Sequence, residues 1–295
     1  MFNLRSIDAS VKKLVEIALK EDIGLQDITS QILISPGLQA RGDVLVKEEG
    51  VLAGTEISCL VFKTADSSLR VRILRPDGSK VKKGEKVMEI TGSAASMLKA
   101  ERVALNFLQR LSGVATHTSR YVRAVEGLPV KIMDTRKTTP GLRRLEKEAV
   151  RMGGGVNHRL GLYDGVIIKD NHLRLCKSLG TSLADAVLHT KQKAPRGMHV
   201  EVEAKDLDEV QEALTTGADI IMLDNMSIKE MTAAVKLVAG RIPLEASGGV
   251  SLENVRSVAE TGVDMISVGE LTHSAPSLDI SLEVYLRGEE AEQCR

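Results

Sequence analysis

The chain has 295 residues, 43% of them hydrophobic, which is enough for a full core and for one large or two modest domains. Its 40 basic and 40 acidic residues cancel, and this argues against the broad basic face that nucleic acid or a membrane surface needs. Only 2% of residues are aromatic and Trp is absent, so a platform for stacking exposed bases is hard to assemble. Three scattered cysteines, Cys59, Cys176 and Cys294, lack metal-ligand spacing and are typical of a reducing compartment.

The first part of the chain predicts a separate, smaller α+β domain over residues 1–112. A helix over 10–20 precedes three β-like segments at 40–50, 69–81 and 85–92, and Asp77-Gly78 is a turn signal. The opening segment carries acids and a helical period, unlike a secretion signal, and no apolar run approaches the ~18 residues of a membrane span. We therefore expect a cytoplasmic protein. Residues 77–92 superficially resemble a lipoyl or biotinyl carrier, but no lysine sits at a hairpin tip, so a carrier function is disfavoured.

From about Val130 the chain alternates apolar runs with helical stretches. Six runs end in polar or small residues, at Thr135, Asp170, Ala204, Asn225, Gly249 and Glu270. Three of the helical stretches end on glycines suited to cap a helix, Gly217, Gly240 and Gly262. Regular alternation with right-handed crossovers predicts an α/β fold with an incomplete β/α barrel of six to seven strands over residues 113–274. A helical run at 96–127 joins the two domains. The tail, 275–295, is predicted to pack on the first domain and to be helical from Ser277.

A cationic cluster lies between positions 131 and 174, where ten lysines and arginines outnumber five acidic residues. Several of these cations directly follow apolar strands, and the carboxyl ends of barrel strands are where ligands bind. The cluster therefore predicts a small, strongly anionic ligand. Within it, Arg143, Arg144 and Lys147 lie at the start of a helix and are interpreted mainly as a solvated face, with the alternative that Arg144 or Lys147 guards the mouth.

Carboxylates and glycines follow the later strands. Glu203 and Asp224 each end an apolar run, and either would also serve to cap the next helix. Two carboxylates in successive units beside a cationic mouth favour contact with a metal or ligand, because carboxylates and a substrate phosphate together bind Mg²⁺. Backbone N–H groups would approach a phosphate closely at four small residues, Ser247, Gly248, Gly249 and Gly269. Ordinary turn residues would look the same.

Lys169 ends its strand and allows two roles, a Schiff base if it is desolvated among cations, or a plain anion clamp. Because Arg136, Lys137 and Arg159 belong to the same cluster, the clamp is favoured.

The histidines of this region are ambiguous individually. His158 follows a triple glycine, which implies a loop shaped around a ligand, and it therefore ranks above His172. His273 follows the last strand and is a candidate contact for phosphate.

An ordered set of short motifs spans nearly the whole chain. The set comprises Glu21-Asp22 with Asp27-Ile28-Thr29, ERVALNF at 101–107, SGVAT at 112–116, DTRKTTPG at 134–141, GGGVNHRLGLYDGVIIKDNH at 153–172, EVE at 201–203, LDN at 223–225, EASGG at 245–249 and VGELTHS at 268–274. It resembles the quinolinate phosphoribosyltransferase family, the decarboxylating nicotinate-nucleotide pyrophosphorylases of NAD synthesis. The resemblance implies that quinolinate and 5-phosphoribosyl-1-pyrophosphate react, with Mg²⁺, to nicotinate mononucleotide, CO₂ and pyrophosphate.

The resemblance also implies roles for particular residues. It implies a clamp for the quinolinate dianion made by Arg136, Lys137, His158, Arg159 and Lys169. It implies catalytic roles for Lys137, Lys169, Glu203 and Asp224, the two carboxylates holding the metal or ribose hydroxyls. Phosphate contacts are implied for Ser247, Gly248, Gly249, Gly269 and His273. Arg102, outside the barrel, is implied to complete the site of a neighbouring subunit, so that the active unit is a homodimer.

Three alternatives stay open at this point. A related phosphoribosyltransferase-like protein of metal-cofactor uptake operons would share the architecture, but retention of both Arg136-Lys137 and His158-Arg159 argues against it. A Schiff-base aldolase-type barrel would use Lys169. A non-enzymatic sensor or scaffold would bind phosphoribosyl ligands without releasing CO₂.

Overall fold

The computed structural model describes residues 8–286, which fall into two compact units. One holds the described residues up to His117 together with those from Ala275 onward, and the other holds Thr118–Ser274. The strands are β1 (Gln39–Val46), β2 (Gly50–Val51), β3 (Arg70–Ile73), β4 (Lys80–Val81), β5 (Lys86–Ser93), β6 (Lys131–Met133), β7 (Val166–Ile168), β8 (Val200–Ala204), β9 (Ile220–Asp224), β10 (Leu244–Ser247), β11 (Met265–Ser267) and β12 (Ile280–Leu286). The helices are α1 (Ala9–Ile23), α2 (Ile28–Leu33), α3 (Thr55–Ala65), α4 (Ala94–Ala124), α5 (Arg143–Met152), α6 (Asp170–Ser178), α7 (Leu183–Lys193), α8 (Leu207–Thr216), α9 (Ile228–Val238), α10 (Val255–Glu260) and α11 (Glu270–His273). None of these helices combines the length and apolarity that crossing a bilayer requires.

The first unit is built on a four-stranded antiparallel sheet with the order β12-β1-β5-β3. Alternate residues such as Val44 and Val46 of β1 are fully buried, as expected for a sheet with one face on the core. Helix α1 begins after Asp8, whose side chain accepts a hydrogen bond from the Ser10 N–H at 2.8 Å, and it packs against α3. The α+β character expected for this part of the chain is confirmed.

The prediction of a helical tail is wrong for the described part of that segment. Residues Ile280–Leu286 form β12, which pairs antiparallel with β1 along its whole length, from Ile280 opposite Val46 to Leu286 opposite Ala40. The sequence ISLEVYL alternates apolar and polar residues with a period of two, which suits a strand. The unpaired edge of β1 supplies the hydrogen-bonding partner that such a segment needs. The rest of the tail, 287–295, lies outside the described residues.

The second unit holds six parallel strands in the order β6-β11-β10-β9-β8-β7. From β8 to β11 each strand pairs with its predecessor along the chain, and β11 then pairs with β6. This cyclic order is that of a β/α barrel. In the part of the chain that the structure describes, no ladder joins β6 to β7, and a lone parallel bridge from Met133 to Val156 lies on the free edge of β6. The six predicted strands and the incomplete closure are confirmed.

The connecting helices follow the boundaries that the sequence indicates. Helix α8 ends at Gly217, which adopts the left-handed conformation with φ 77°, and α9 begins with a capping box between Ser227 and Glu230. Because all six strands are parallel, their carboxyl ends meet at one edge. The residues that follow them therefore come from separate parts of the chain and share one mouth.

Candidate active site

A cavity of about 690 Å³ opens at the carboxyl ends of the barrel strands. Its lining includes every site residue predicted within the barrel, namely Arg136, Lys137, His158, Arg159, Lys169, Glu203, Asp224, Ser247, Gly248, Gly249, Gly269 and His273. Among residues that the motifs did not single out as ligands, Asn225, Glu245, Ser267 and Glu270 also line it. The strand-end argument therefore predicted which residues the fold brings together around one cavity, and their roles stay predictions.

Arg102 is not among the residues that line this cavity. It lies on α4 in the first unit, its side chain is 58% exposed, and its guanidinium lies 3.9 Å from the Glu101 carboxylate. Its implied role in a neighbouring subunit stays a prediction.

Two arginines supply buried N–H groups to the cationic side of the cavity. Among the described residues, the Nε atoms of Arg136 and Arg159 are buried and have no hydrogen-bond partner. The Nη1 of Arg159 donates to the carbonyl of Gly165 at 2.9 Å, which fixes the direction of the guanidinium. Burial and the nearby Arg136 lower the pKa of Arg159, but an arginine stays charged. Both arginine side chains line the cavity, so they place positive charge at its wall, where an anion would be stabilised.

The carboxylate side of the cavity is formed by Glu203 and Asp224. Glu203 is only 7% exposed, and it accepts hydrogen bonds from the ammonium of Lys169 at 3.2 Å and from the Asp170 N–H at 3.1 Å. Asp224 ends β9 and lies level with Ser247 of β10. Hard carboxylate oxygens of this kind are what Mg²⁺ prefers, so the residues fit that ion. Lys169 and any cation bound to Glu203 compete for the same oxygen.

Glycines form part of the rim of the cavity. Gly248 and Gly249 have φ values of 90° and 63°, in the left-handed region that favours glycine. A Cβ at position 248 would collide with the side-chain amide of Asn225, so the turn after β10 closes directly onto the turn after β9. A Cβ at Gly269 would lie 2.9 Å from the Cδ of Lys137. Small residues therefore let the main chain come close to whatever occupies this rim.

A buried ion pair supports the loop that carries His158 and Arg159. The ammonium of Lys147 donates to Asp134 and, at 2.9 Å, to the carbonyl of His158, while the His158 N–H donates to Asp134 Oδ1 at 2.9 Å. In the amide orientation that satisfies both groups, Asn157 donates to Asp134 Oδ2 at 2.7 Å. Burial raises the pKa of Asp134 to about 6 and lowers the pKa of Lys147, and their mutual contact opposes both shifts.

The interpretation of Lys147 as part of a solvated face is wrong. Its side chain is 2% exposed and its partner Asp134 is 0% exposed. Helix α5 turns Lys147 inward together with Leu145 and Ala149. Nothing local marks this lysine as buried, since its partner lies thirteen residues earlier on a different element.

His158 meets two buried carboxylates that the motif search did not assign. Its Nε2 lies 3.2 Å from Glu201 Oε2 and 3.3 Å from Glu245 Oε2, while its Nδ1 accepts the Arg159 N–H at 2.7 Å. Burial disfavours a charged ring, but the two carboxylates outweigh it and raise the pKa of His158 to about 9. The bond from the Arg159 N–H opposes the charged ring, because it needs Nδ1 without a proton. A ring that carries its proton on Nε2 satisfies all three contacts, since Nε2–H faces the two carboxylates and Nδ1 accepts the Arg159 N–H. A direct bond from this ring to a substrate stays a prediction.

The fold and site together define a class, a β/α-barrel enzyme that binds small polyanions between a cationic wall, paired carboxylates and a glycine-rich rim. The chain matches the models "Quinolinate phosphoribosyl transferase, N-terminal domain" over residues 27–112 and "Quinolinate phosphoribosyl transferase, C-terminal domain" over residues 114–283. The chain belongs to the quinolinate phosphoribosyltransferase family, and the resemblance drawn from its motifs is confirmed.

Relatives agree with this assignment. The chain is 44% identical over 284 residues to a probable nicotinate-nucleotide pyrophosphorylase [carboxylating] of Bacillus subtilis, with 96% of each chain covered. It is 41% identical over 290 residues to the chloroplastic nicotinate-nucleotide pyrophosphorylase [carboxylating] of Arabidopsis thaliana, covering 93% of this chain and 82% of the relative. Among solved structures, NadC from Streptococcus pyogenes superposes with a TM-score of 0.89 at 40% identity, covering 96% of this chain and 100% of that one.

Proposed function

We propose that this protein is a decarboxylating quinolinate phosphoribosyltransferase, which converts quinolinate and 5-phosphoribosyl-1-pyrophosphate to nicotinate mononucleotide, CO₂ and pyrophosphate in NAD synthesis. The observation that carries the proposal is one cavity with two chemically distinct walls. One wall presents the side chains of Arg136 and Arg159, and the other presents Glu203 and Asp224. A dicarboxylate and a phosphorylated sugar would each find complementary groups there.

The cationic wall would hold quinolinate as a dianion. The guanidiniums of Arg136 and Arg159 suit carboxylates because their N–H groups form a planar fork. Lys137 and Lys169 add point charges, and Lys169 would leave Glu203 as a substrate carboxylate replaces that partner. We assign both lysines to positioning of the dianion rather than to proton abstraction. Aromatic contacts are not required, which agrees with a chain that has almost no aromatic residues.

The reaction depends on stabilisation of the charge that develops in the transition state, and it needs no general base. The pyridine nitrogen forms a bond to C1 of the ribose as the bond from C1 to pyrophosphate breaks, and positive charge develops on the sugar. Glu203 and Asp224 would favour that charge or hold ribose hydroxyls. The quaternary ring nitrogen then accepts the electrons left when the adjacent carboxylate departs as CO₂, and the ring carbon takes a proton from water. Mg²⁺ bound by the two carboxylates would supply charge neutralisation for the pyrophosphate.

The first experiment is a CO₂-release assay with carboxyl-labelled quinolinate. We expect release to depend on quinolinate, 5-phosphoribosyl-1-pyrophosphate and Mg²⁺ together, and to stop when a chelator removes the metal. Nicotinate serves as the parallel acceptor, since it lacks the carboxyl group that leaves. Binding of both ligands without any CO₂ release would refute the proposal in favour of the non-enzymatic sensor.

A Schiff-base barrel is the competing enzymatic function, and the geometry disfavours it. A Schiff-base lysine is desolvated or placed among cations. The side chain of Lys169 is 43% exposed and paired with Glu203, so it is not desolvated, and a carboxylate lies against its ammonium. Borohydride treatment with a carbonyl substrate should leave the chain unlabelled, whereas covalent trapping on Lys169 would favour the aldolase-type alternative.

We further propose that the active unit is a homodimer in which Arg102 completes the neighbouring site. The exposed guanidinium of Arg102 supports this, as do exposed apolar side chains in the same unit, Leu25, Ile28, Ile32 and Leu33. Mixing inactive Arg102→Ala and Lys137→Ala chains tests it, because a hybrid dimer would hold one intact site. Random exchange of subunits should restore about a quarter of wild-type activity. No recovery after demonstrated subunit exchange would place Arg102 in its own chain's site or in none.

We also propose a cytoplasmic location, in keeping with three cysteines that are scattered along the sequence without metal-ligand spacing. Fractionation of the source cells tests this, and recovery of the protein outside the cytoplasmic fraction would contradict it.

A further inference from the structure

Two glutamates occupy the barrel interior one level below the mouth. Glu201 precedes Glu203 by two residues on β8, and Glu245 precedes Ser247 by two residues on β10. Because side chains alternate along a strand, each shares the face of the mouth residue that follows it. Interior levels of such barrels are usually filled by branched apolar side chains. Glu201 is 3% exposed and Glu245 is 0% exposed, so their carboxylates need a specific reason to be there.

The ring of His158 is the group that these carboxylates share. Its Nε2 lies 3.2 Å from one and 3.3 Å from the other. Within residues 8–286, Glu201 Oε1 and both carboxylate oxygens of Glu245 have no hydrogen-bond partner, so Glu245 meets the ring by charge at 3.3 Å and not through a hydrogen bond. Both carboxylates are therefore directed at one imidazole edge, and they restrict that ring to a single orientation.

The opposite edge of the ring is attached to the anion site. The Nδ1 of His158 accepts the main-chain N–H of Arg159 at 2.7 Å, and Arg159 carries one of the two buried, unpartnered Nε groups of the cationic wall. Asp134 separately holds the main-chain N–H of His158. The loop is thus anchored twice, through its main chain by Asp134 and through its histidine ring by the glutamate pair.

We propose that Glu201 and Glu245 are positioning residues of the quinolinate site, which fix the His158 ring and, through it, the main chain of Arg159. This inference rests on the proposed function, since it assumes that Arg159 meets a substrate carboxylate. In this proposal the glutamates act through His158 and not by direct contact with the substrate, although Glu245 is among the residues that line the cavity. Their effect is to keep the Arg159 guanidinium where a bidentate contact forms without reorganisation, and small displacements of such groups are expensive.

The test compares Glu245→Met and Glu201→Met with wild type in the full-length protein. Methionine keeps the approximate volume and removes both acceptors, so the ring loses one of its two restraints. We expect the KM for quinolinate to rise about tenfold while the KM for 5-phosphoribosyl-1-pyrophosphate changes less than about twofold. Glu245→Gln keeps one acceptor oxygen and should restore part of the affinity. Asp219→Asn is the matched control. The Asp219 carboxylate accepts the Val200 N–H at 2.8 Å, at the end of β8 away from the mouth, so the KM values of this variant should equal those of wild type.

Melting temperatures distinguish the proposed positioning role from a purely structural one. Two buried carboxylates share one imidazole and repel each other, and Glu245→Met leaves His158 paired with Glu201, so this variant should melt at or above the wild-type temperature although it binds quinolinate less well. A lower melting temperature with unchanged KM values would overturn the proposal. So would a metal ion found in one-to-one ratio with the chain by elemental analysis and lost in Glu245→Met, because the trio would then be a metal centre.

A double-mutant cycle tests whether the effect of the glutamates on quinolinate binding passes through Arg159. If the glutamates act through Arg159, Glu245→Met should change quinolinate affinity less than about twofold in an Arg159→Ala background, and additive effects would refute the link. If wild type releases no CO₂, the dissociation constant of quinolinate measured by calorimetry replaces KM. Absence of turnover would then refute the proposed reaction, whereas unchanged quinolinate binding in the variants would refute the positioning role. If Glu245→Met does not fold, Glu201→Met and Glu245→Gln carry the same comparison.

Discussion

Replacing Lys147 with methionine removes the ammonium from its buried contact with Asp134 and keeps the length of the side chain. The two side chains are 2% and 0% exposed, so water does not take over the role of the missing partner. The variant leaves a carboxylate in the interior with only the His158 and Asn157 N–H groups to stabilise it. It also removes the bond from Lys147 to the His158 carbonyl at 2.9 Å.

Removing one partner of a buried pair costs about 3–5 kcal/mol, because the other charge is left uncompensated. At a typical urea dependence of about 3 kcal/mol per molar, the unfolding midpoint of the barrel should fall by about 1 M or more. The double variant Lys147→Met with Asp134→Asn removes both charges and keeps a hydrogen-bonding side chain at 134. It should lie within about 2 kcal/mol of wild type, so the two substitutions are strongly non-additive.

Urea unfolding followed by far-ultraviolet circular dichroism suits a chain without Trp. The matched control is Lys191→Met, because Lys191 pairs with Asp219 at 2.8 Å on the surface, with side chains 37% and 33% exposed. That variant should lose no more than about 1 kcal/mol.

The stability deficit of Lys147→Met should also shrink with falling pH, because protonation of Asp134, whose pKa is already raised to about 6, removes the unpaired charge. A Lys147→Met enzyme as stable as wild type, or a double variant whose loss equals the sum of the single losses, would refute the assignment of this pair.

Three further predictions concern the rim, the clamp and the base of the barrel. Gly248→Ala should raise the KM for 5-phosphoribosyl-1-pyrophosphate about tenfold or more, because φ is 90° and the new Cβ collides with Asn225; equal weakening of quinolinate binding by calorimetry would contradict it. Lys169→Ala should lower kcat/KM for quinolinate about tenfold to a hundredfold, and wild-type steady-state kinetics would remove it from the clamp. Burial raises the pKa of Asp219, but hydrogen bonds from Lys191 and from the Val200 N–H outweigh burial and lower it. The contribution of Asp219 to stability is therefore present above the ordinary carboxyl pKa and is lost as pH falls. Asp219→Asn should therefore melt below wild type at pH 7 and converge with it in acid, and a constant difference at all pH values would refute this.

The position of the site was predictable because it depends on local pattern and on one rule of topology. Six apolar runs of strand length, separated by helices, could only form a parallel sheet with right-handed crossovers. In such a sheet all carboxyl ends share one edge, so Glu203, Asp224 and Gly269 had to meet although many residues separate them. The motifs then identified the family, since their order and spacing are far more specific than any single residue type.

In the tail the local pattern was present, but it was assigned the period of a helix instead of that of a strand. Residues 280–286 alternate with a period of two, yet a short amphipathic segment near a chain end also allows a helix. The segment forms a strand because the edge of β1 that is not paired with β5 offers seven residues of antiparallel pairing. That edge exists only in the folded first unit.

By itself the sequence determined the α/β class, the barrel strands, the cationic mouth and the family. Only the tertiary structure decided which charged residues are interior. Lys147 and Glu245 look like ordinary charged positions, because burial depends on partners from distant segments, Asp134 in one case and His158 in the other. A buried charge is tolerated only where such a partner lies within about 4 Å, and that condition is set by packing rather than by local sequence.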